Sequence, residues 1–194
     1  MPSARGPGGG GRFGRRRGAR PPDRPDSPEA ARGKAIGLLA RRDYPAKLLK
    51  TRLAESGYAP DAADAAVSTL ESERLVNDQR YVESAVAGRI SRGQGPIRIA
   101  LELRRQGVAP DLVTAAVDAK SSDWLARAAV LRQRRFGDTP PADVRERARQ
   151  VRFLLQRGFG GDHVRHALGA GFDPDLGLEL DADALDGGLD DAGE

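Results

Sequence analysis

The chain has 194 residues, of which 31% are charged and none is cysteine, so disulfides and thiolate metal sites are excluded. No apolar run approaches the roughly 20 residues of a membrane-spanning helix, and the arginine-rich start lacks the apolar stretch of a secretory signal, so a soluble cytoplasmic protein is expected. The net charge of +4 divides into +5 over residues 1–27, −9 over residues 173–194 and +8 between them, a balance that suits a polyanionic partner.

Residues 1–27 are dominated by Gly, Pro and Arg and have too little apolar surface to fold, which predicts a disordered arm. Ser27-Pro28-Glu29 then reads as a helix start, with proline in the first turn and glutamate at the positive helix end. From there to about Ala170 the apolar residues follow the helical period.

Within that region one pattern occurs three times at a spacing of about fifty residues. The copies are Leu53-Ala-Glu-Ser-Gly57-Tyr-Ala-Pro-Asp61, Leu103-Arg-Arg-Gln-Gly107-Val-Ala-Pro-Asp111 and Leu154-Leu-Gln-Arg-Gly158-Phe-Gly-Gly-Asp162. Apolar residues recur six, nine and ten positions after each glycine: Ala63, Ala66 and Val67; Val113, Ala116 and Val117; Val164, Ala167 and Leu168. A fixed period of this length marks tandem repeats, each burying a face against its neighbour. The prediction is an all-α protein of three tandem three-helix repeats, residues 28–75, 76–121 and 122–172, forming an elongated, curved body.

In the first repeat, Ala35, Leu38 and Leu39 mark the first helix, and Leu49 and Leu53 the second. In the second repeat, Val82, Val86 and Ile90 are followed by Ile99 and Leu103. In the third, Leu125, Ala128 and Ala129 precede a longer helix carrying Val144, Ala148, Val151 and Leu155. Pro45, Pro96 and Pro141 stand near the starts of second helices, and Gly57, Gly107 and Gly158 end them in a left-handed conformation. Pro60 and Pro110 open third helices; the third copy has Gly161 there, so that start is less rigidly set. After Pro174 there is no convincing period, and an acidic tail over 173–194 is expected, in which Leu180–Leu185 could form one short helix. A tail of that charge could cover the basic body and suppress nonspecific DNA binding, or simply solubilise the chain.

No catalytic fingerprint is present: there is no phosphate-binding GxxxxGK[ST] loop, no GxSxG elbow and no HExxH. Gly93-Gln-Gly95 is a lone glycine pair between helices. His163 and His166 share a helix face, but two nitrogens beside Asp162 do not make a metal site, so no metal, cofactor or catalysis is expected. The basic residues are more informative. Arg98 and Arg105 lie seven apart and opposite Leu103, Arg89 and Arg92 share the face of the preceding helix, and Arg145, Arg149 and Arg152 follow a helical spacing with Arg157 beyond. Guanidinium forks suit phosphate and carboxylate alike. The competing explanation is ordinary solvated faces paired with Glu102 and Glu146, in a chain whose 28 arginines among 32 bases could reflect compositional drift.

The stretch Leu75-Val-Asn-Asp78-Gln-Arg80-Tyr81, followed by Arg89, Gly93-Gln-Gly95-Pro96-Ile-Arg98-Ile and Glu102-Leu-Arg-Arg-Gln-Gly107-Val, resembles the central signature of the RecX family of small bacterial regulators of the RecA recombinase. Phe153-Leu-Leu-Gln-Arg157-Gly158-Phe159 is similar to that family's third-repeat motif, with Gln156 where another base is usual. The resemblance covers roughly residues 30–172 and leaves the arm and the tail outside it. It implies tandem three-helix repeats, binding along the groove of a RecA–DNA filament, damping of recombinase, coprotease and ATPase activities, and no catalysis. Asp78, Arg80, Tyr81, Arg89, Gly95, Arg98 and Gly107 match the signature by position. Of these, Gly95 and Gly107 read as structural, Tyr81 as a packed ring with a polar tip, and Asp78 as a helix start or cap.

The candidate contacts to RecA or DNA are therefore Arg80, Arg89, Arg92, Arg98, Arg104, Arg105, Arg145, Arg149, Arg152 and Arg157. The expected partner is the RecA filament, with single- or double-stranded DNA bound secondarily through phosphates, no membrane contact and a monomeric state. A nonspecific DNA-binding module or a protein scaffold is the alternative. The third helices begin Asp-Ala-Ala-Asp, Asp-Leu-Val-Thr and Asp-His-Val-Arg, and their leading acids disfavour sequence-specific readout.

Overall fold

The computed structural model describes residues 22–169, which form nine α-helices and no strand among the described residues. The acidic tail and the short helix considered at Leu180–Leu185 lie outside the described residues, as does most of the arm. The first repeat contains α1 (Pro28–Leu39), α2 (Ala46–Glu55) and α3 (Pro60–Ser72). The second contains α4 (Asp78–Ser91), α5 (Pro96–Arg105) and α6 (Pro110–Asp118). A single 3-10 turn, Ser121–Asp123, leads into α7 (Trp124–Phe136), α8 (Val144–Gln156) and α9 (Gly161–Leu168).

The helix ends follow from short-range chemistry. Ser27 Oγ accepts the Ala30 amide at 3.2 Å, so this serine caps α1. Asn77 Oδ1 does the same for the Arg80 amide of α4, and Asp143 Oδ1 for the Glu146 amide of α8. Pro141 thus precedes its helix by three residues rather than opening it. Gly57, Gly107 and Gly158 have φ of 94°, 84° and 87°, the left-handed turn expected of all three. At α9, where no proline sets the start, His163 Nδ1 accepts the Gly160 amide at 3.0 Å. A side chain reaching back to the residue before the helix replaces the rigidity of the missing ring.

All extensively packed helix pairs lie inside a repeat. The predicted face of the third helix is the buried one: Ala63, Ala66 and Val67 in α3, Val113 in α6, and Val164 and Leu168 in α9 are buried. Three expectations need correction. Val117 is only partly buried against the core, because α6 is short and its last turn opens toward the 3-10 connection. Val144 is 82% exposed at the first turn of α8, where the Asp143 cap, not packing, sets the helix start; the buried stripe is Gln150, Val151 and Leu154. Leu125 is also exposed, its neighbour Trp124 taking the core position.

The apolar interior divides unequally. Repeat one has its own core, built on Ala35, Leu49, Leu53, Val67 and Leu70. Repeats two and three share one continuous core running from Val82 and Ile99 to Trp124, Leu154, Phe159 and Val164. Trp124 packs edge-to-face on Phe159 with ring centres 6.5 Å apart, and its indole N–H donates to the Val117 carbonyl at 3.2 Å.

Candidate interaction surface: two arginine-lined grooves

Each junction between repeats uses a glycine at the end of a second helix. At the junction of repeats two and three, the Gly95 amide donates to the Arg157 carbonyl at 2.6 Å and the Ile97 amide to the Gly158 carbonyl at 3.0 Å. A Cβ at Gly158 would stand 2.4 Å from the Cβ of Arg98, so two backbones meet there without side chains between them. At the junction of repeats one and two, Gly107 sits against the side-chain stem of Lys47 in α2. The same junction is tied by Asp78 Oδ1, which accepts the Ala46 amide at 2.8 Å across repeats. Asp78 therefore opens α4 and at the same time satisfies a free amide of α2.

Along these junctions run two grooves. The first is lined by Arg42 and Arg52 from repeat one and by Arg89, Arg98 and Arg105 from repeat two, with Tyr81, Glu102 and Gln106 among them. The second lies between repeats two and three, with Arg92, Arg127, Arg134 and Arg157 beside Ile90, Val130, Leu131 and Phe159. Of the ten arginines expected from sequence, the fold gathers Arg89, Arg98 and Arg105 into the first groove and Arg92 and Arg157 into the second. Arg80, Arg104, Arg145, Arg149 and Arg152 are exposed on helix surfaces away from both linings. Sequence reasoning missed Arg42, Arg52, Arg127 and Arg134. Their groove positions depend on how repeats meet, and helical spacing within one repeat carries no signal of that.

Arg89, one of the contact candidates, is buried. It is 8% exposed, with Nε on Glu102 Oε2 at 2.9 Å, Nη1 on the Ala85 carbonyl at 3.3 Å and Nη2 on Gln106 Oε1 at 3.3 Å. Arg98 is half-buried, its Nε on Glu102 Oε1 at 3.0 Å and its Nη1 on the Gln156 carbonyl at 3.2 Å, so unlike Arg89 it reaches across to repeat three. Burial alone would raise the Glu102 carboxyl, but the hydrogen bonds and charges of Arg89 and Arg98 outweigh that and hold it below the ordinary glutamate range. One carboxylate thus fixes two arginines in the first groove. Tyr81, whose hydroxyl donates to Gln106 Oε1 at 2.7 Å, completes that network as a packed ring with a bonded tip.

The other candidates differ in kind. Arg157 Nη1 donates to the Arg92 carbonyl at 3.3 Å and its guanidinium lies 5.3 Å from the Phe153 ring centre. Arg149 pairs with Glu146 and also covers Phe136 at 5.3 Å. Arg80 donates weakly to the Leu75 carbonyl at 3.3 Å. Arg132, not singled out from sequence, is buried in an internal role: it bonds Gln150 Oε1 at 2.9 Å and the carbonyls of Gly137 and Thr139, anchoring the α7–α8 connection. Among the described residues no three His, Asp or Glu side chains converge as a metal site, and no helix is long and apolar enough to cross a membrane.

Three family models match in series: the RecX first three-helix domain over residues 31–70, the second over 77–117 and the third over 122–168. The chain belongs to the RecX family. It is 43% identical over 147 residues to the regulatory protein RecX of Halorhodospira halophila, covering 76% of this chain and 91% of that one. It is also 43% identical over 137 residues to the regulatory protein RecX of Chromohalobacter salexigens, covering 71% and 90% respectively. The crystal structure of RecX from Lactobacillus salivarius is similar in fold, with a TM-score of 0.62 at 19% identity over 72% of this chain and 93% of that one. The RecX domains coincide with the helical repeats, and the paired grooves lie where consecutive RecX domains meet.

Proposed function

We propose that this RecX-family protein regulates the RecA recombinase. In this reading it binds the RecA–DNA filament and mainly inhibits its recombinase, coprotease and ATPase activities in DNA repair and the SOS response, as a cytoplasmic monomer with no catalysis of its own. The observation that carries the proposal is the pair of arginine-lined grooves recurring at successive repeat junctions. A filament is itself a repeating ligand, and a periodic series of cationic clefts matches a periodic series of acidic or phosphate groups. Arg92 and Arg105 are the expected contacts among the sequence-derived candidates, joined by Arg42 and Arg134; Arg89 and Arg98 are positioning residues that hold the first groove together. DNA contact through phosphates, including those of Arg104, Arg145 and Arg152 on exposed faces, is secondary.

The alternative, a dedicated DNA reader, is disfavoured by the exposed Asp61, Asp111 and Asp162 in the first turns of the third helices, where a recognition helix would meet phosphate. The decisive experiment measures ATP hydrolysis by RecA filaments on single-stranded DNA with increasing protein, alongside binding to bare DNA. Inhibition should fall at least tenfold in potency when Arg42, Arg92, Arg105 and Arg134 are changed together to alanine, with the helical circular dichroism spectrum retained. Equal inhibition by this folded variant would place the contact on another face, and inhibition that simply tracks bare-DNA affinity would favour the DNA-binding reading.

A further inference from the structure

The groove between repeats two and three differs from a simple phosphate cleft in having an apolar floor. Val130, 44% exposed, and the half-buried Leu131 lie among Arg127, Arg134 and Arg157, and the lining also takes in Phe159, itself 2% exposed. Asp123 also lines the groove and holds Arg127, whose Nη2 donates to Asp123 Oδ2 at 3.2 Å, so a ligand's carboxylates fall to Arg134 and Arg157. A polyphosphate backbone makes no use of an apolar floor. A peptide carrying both leucines and carboxylates uses every part of it.

This chain contains such a peptide. Residues 173–194 carry nine acidic side chains and no base, and each leucine there (Leu176, Leu178, Leu180, Leu185 and Leu189) stands directly beside an Asp or Glu. The segment follows α9, which packs on α7, the helix that supplies Val130, Leu131 and Arg134 to the groove. At about 3.3 Å per extended residue, even the first ten residues beyond Gly169 could reach some 30 Å. Tethering of this kind gives an effective concentration on the order of millimolar, enough for a weak site to be occupied. We propose that the groove between repeats two and three is the docking site of the chain's own residues 173–190, leucines on Val130 and Leu131 and carboxylates on Arg134 and Arg157. The tail then competes with any acidic partner for this groove. The assignment does not depend on the identity of that partner.

The test uses the full chain and needs no partner. Because the sequence has no cysteine, Leu178→Cys introduces a unique thiol for a nitroxide label. Amide resonances of Ile90, Gly93, Val130 and Phe159 should broaden strongly, while those of Leu49 and Val67 in the core of repeat one stay sharp. Adding Val130→Asp and Arg134→Glu, both at exposed positions, should restore the groove signals at least fivefold toward their diamagnetic intensities. Broadening centred on Arg42, Arg52 and Arg105, or spread evenly over all repeats, overturns the assignment. So does broadening that survives the double substitution. A mixture of labelled protein at natural isotope abundance with unlabelled, nitrogen-15 protein should give no broadening; its appearance there would mean that a second copy's tail occupies the groove, and the intramolecular assignment would fall.

Discussion

A methyl group on Gly95 would stand 2.4 Å from the carbonyl carbon of Gly158, sixty-three residues further along the chain. The two glycines let the loop before α5 lie against the end of α8, where the Gly95 and Ile97 amides find their acceptors. Both sides of the contact are backbone, so neither can yield as a flexible side chain would. Repeats two and three are joined at this point, with their shared core beneath it.

Gly158→Ala should therefore cost about 3 kcal/mol, combining left-handed strain with overpacking. Gly95→Ala, at φ −87° where alanine meets no backbone strain, tests the contact alone and should cost about 1–3 kcal/mol. Urea unfolding of the two variants separates the contact from the conformation. An unchanged urea midpoint for Gly95→Ala would mean that the Gly95–Gly158 approach contributes nothing.

Burial in the third helix of repeat two is graded, and substitutions should follow the gradient. Val113→Asp places an unpaired charge at a fully buried site and should cost several kcal/mol, enough to unfold the shared core. Val117→Asp, at a partly buried position near the open end of α6, should cost less than half as much. Thermal melts by circular dichroism would rank them.

Glu102 links acid stability to the first groove. Its carboxyl is held below the ordinary range, so the folded state binds fewer protons than the unfolded state. Its contribution is complete above the unfolded value, about 4.3, and is lost as pH falls through the lower folded value. Glu102→Gln should lower the urea midpoint at pH 6 and flatten its decline between pH 5 and pH 3. The neutral-pH loss should be about 1–3 kcal/mol, since Arg89 is left buried with a weaker partner.

His163 offers a second, milder pH dependence. Desolvation lowers its pKa against the opposing charge of Asp162, and the neutral Nδ1 accepts the Gly160 amide. The folded state again binds fewer protons, so this contribution is present above about pH 6.5 and disappears as pH falls toward the lowered folded value. Hydrogen exchange at Gly160 should accelerate over that interval while exchange in α3 does not, and His163→Ala should abolish the difference.

Asp78→Ala removes the acceptor for the Ala46 amide and should cost about 1 kcal/mol. The signature of a junction tie, as opposed to a local cap of α4, is where the loss appears. Exchange should speed up at Ala46, thirty-two residues away, while α4 keeps its own cap from Asn77.

Among the described residues, the nine helices, their grouping into repeats, the left-handed glycines and most of the core face were legible in the sequence, because each depends on periodicity or on residues within one turn of each other. Tyr81 was legible as a packed ring with a polar tip; its bond to Gln106 was not. What the tertiary structure alone decided was the fate of the arginines. Arg89 and Arg98 turn inward because Glu102 accepts both of them, which their own helical spacing cannot reveal. Arg42, Arg52, Arg127 and Arg134 join the grooves only because neighbouring repeats meet at glycines. Asp78 looked like the start of its own helix, and it is; that it also caps α2 is a fact about two repeats in contact. Local patterns record the forces acting along one helix. Surfaces made by two repeats depend on distances between residues far apart in the chain, and those are set when the units pack.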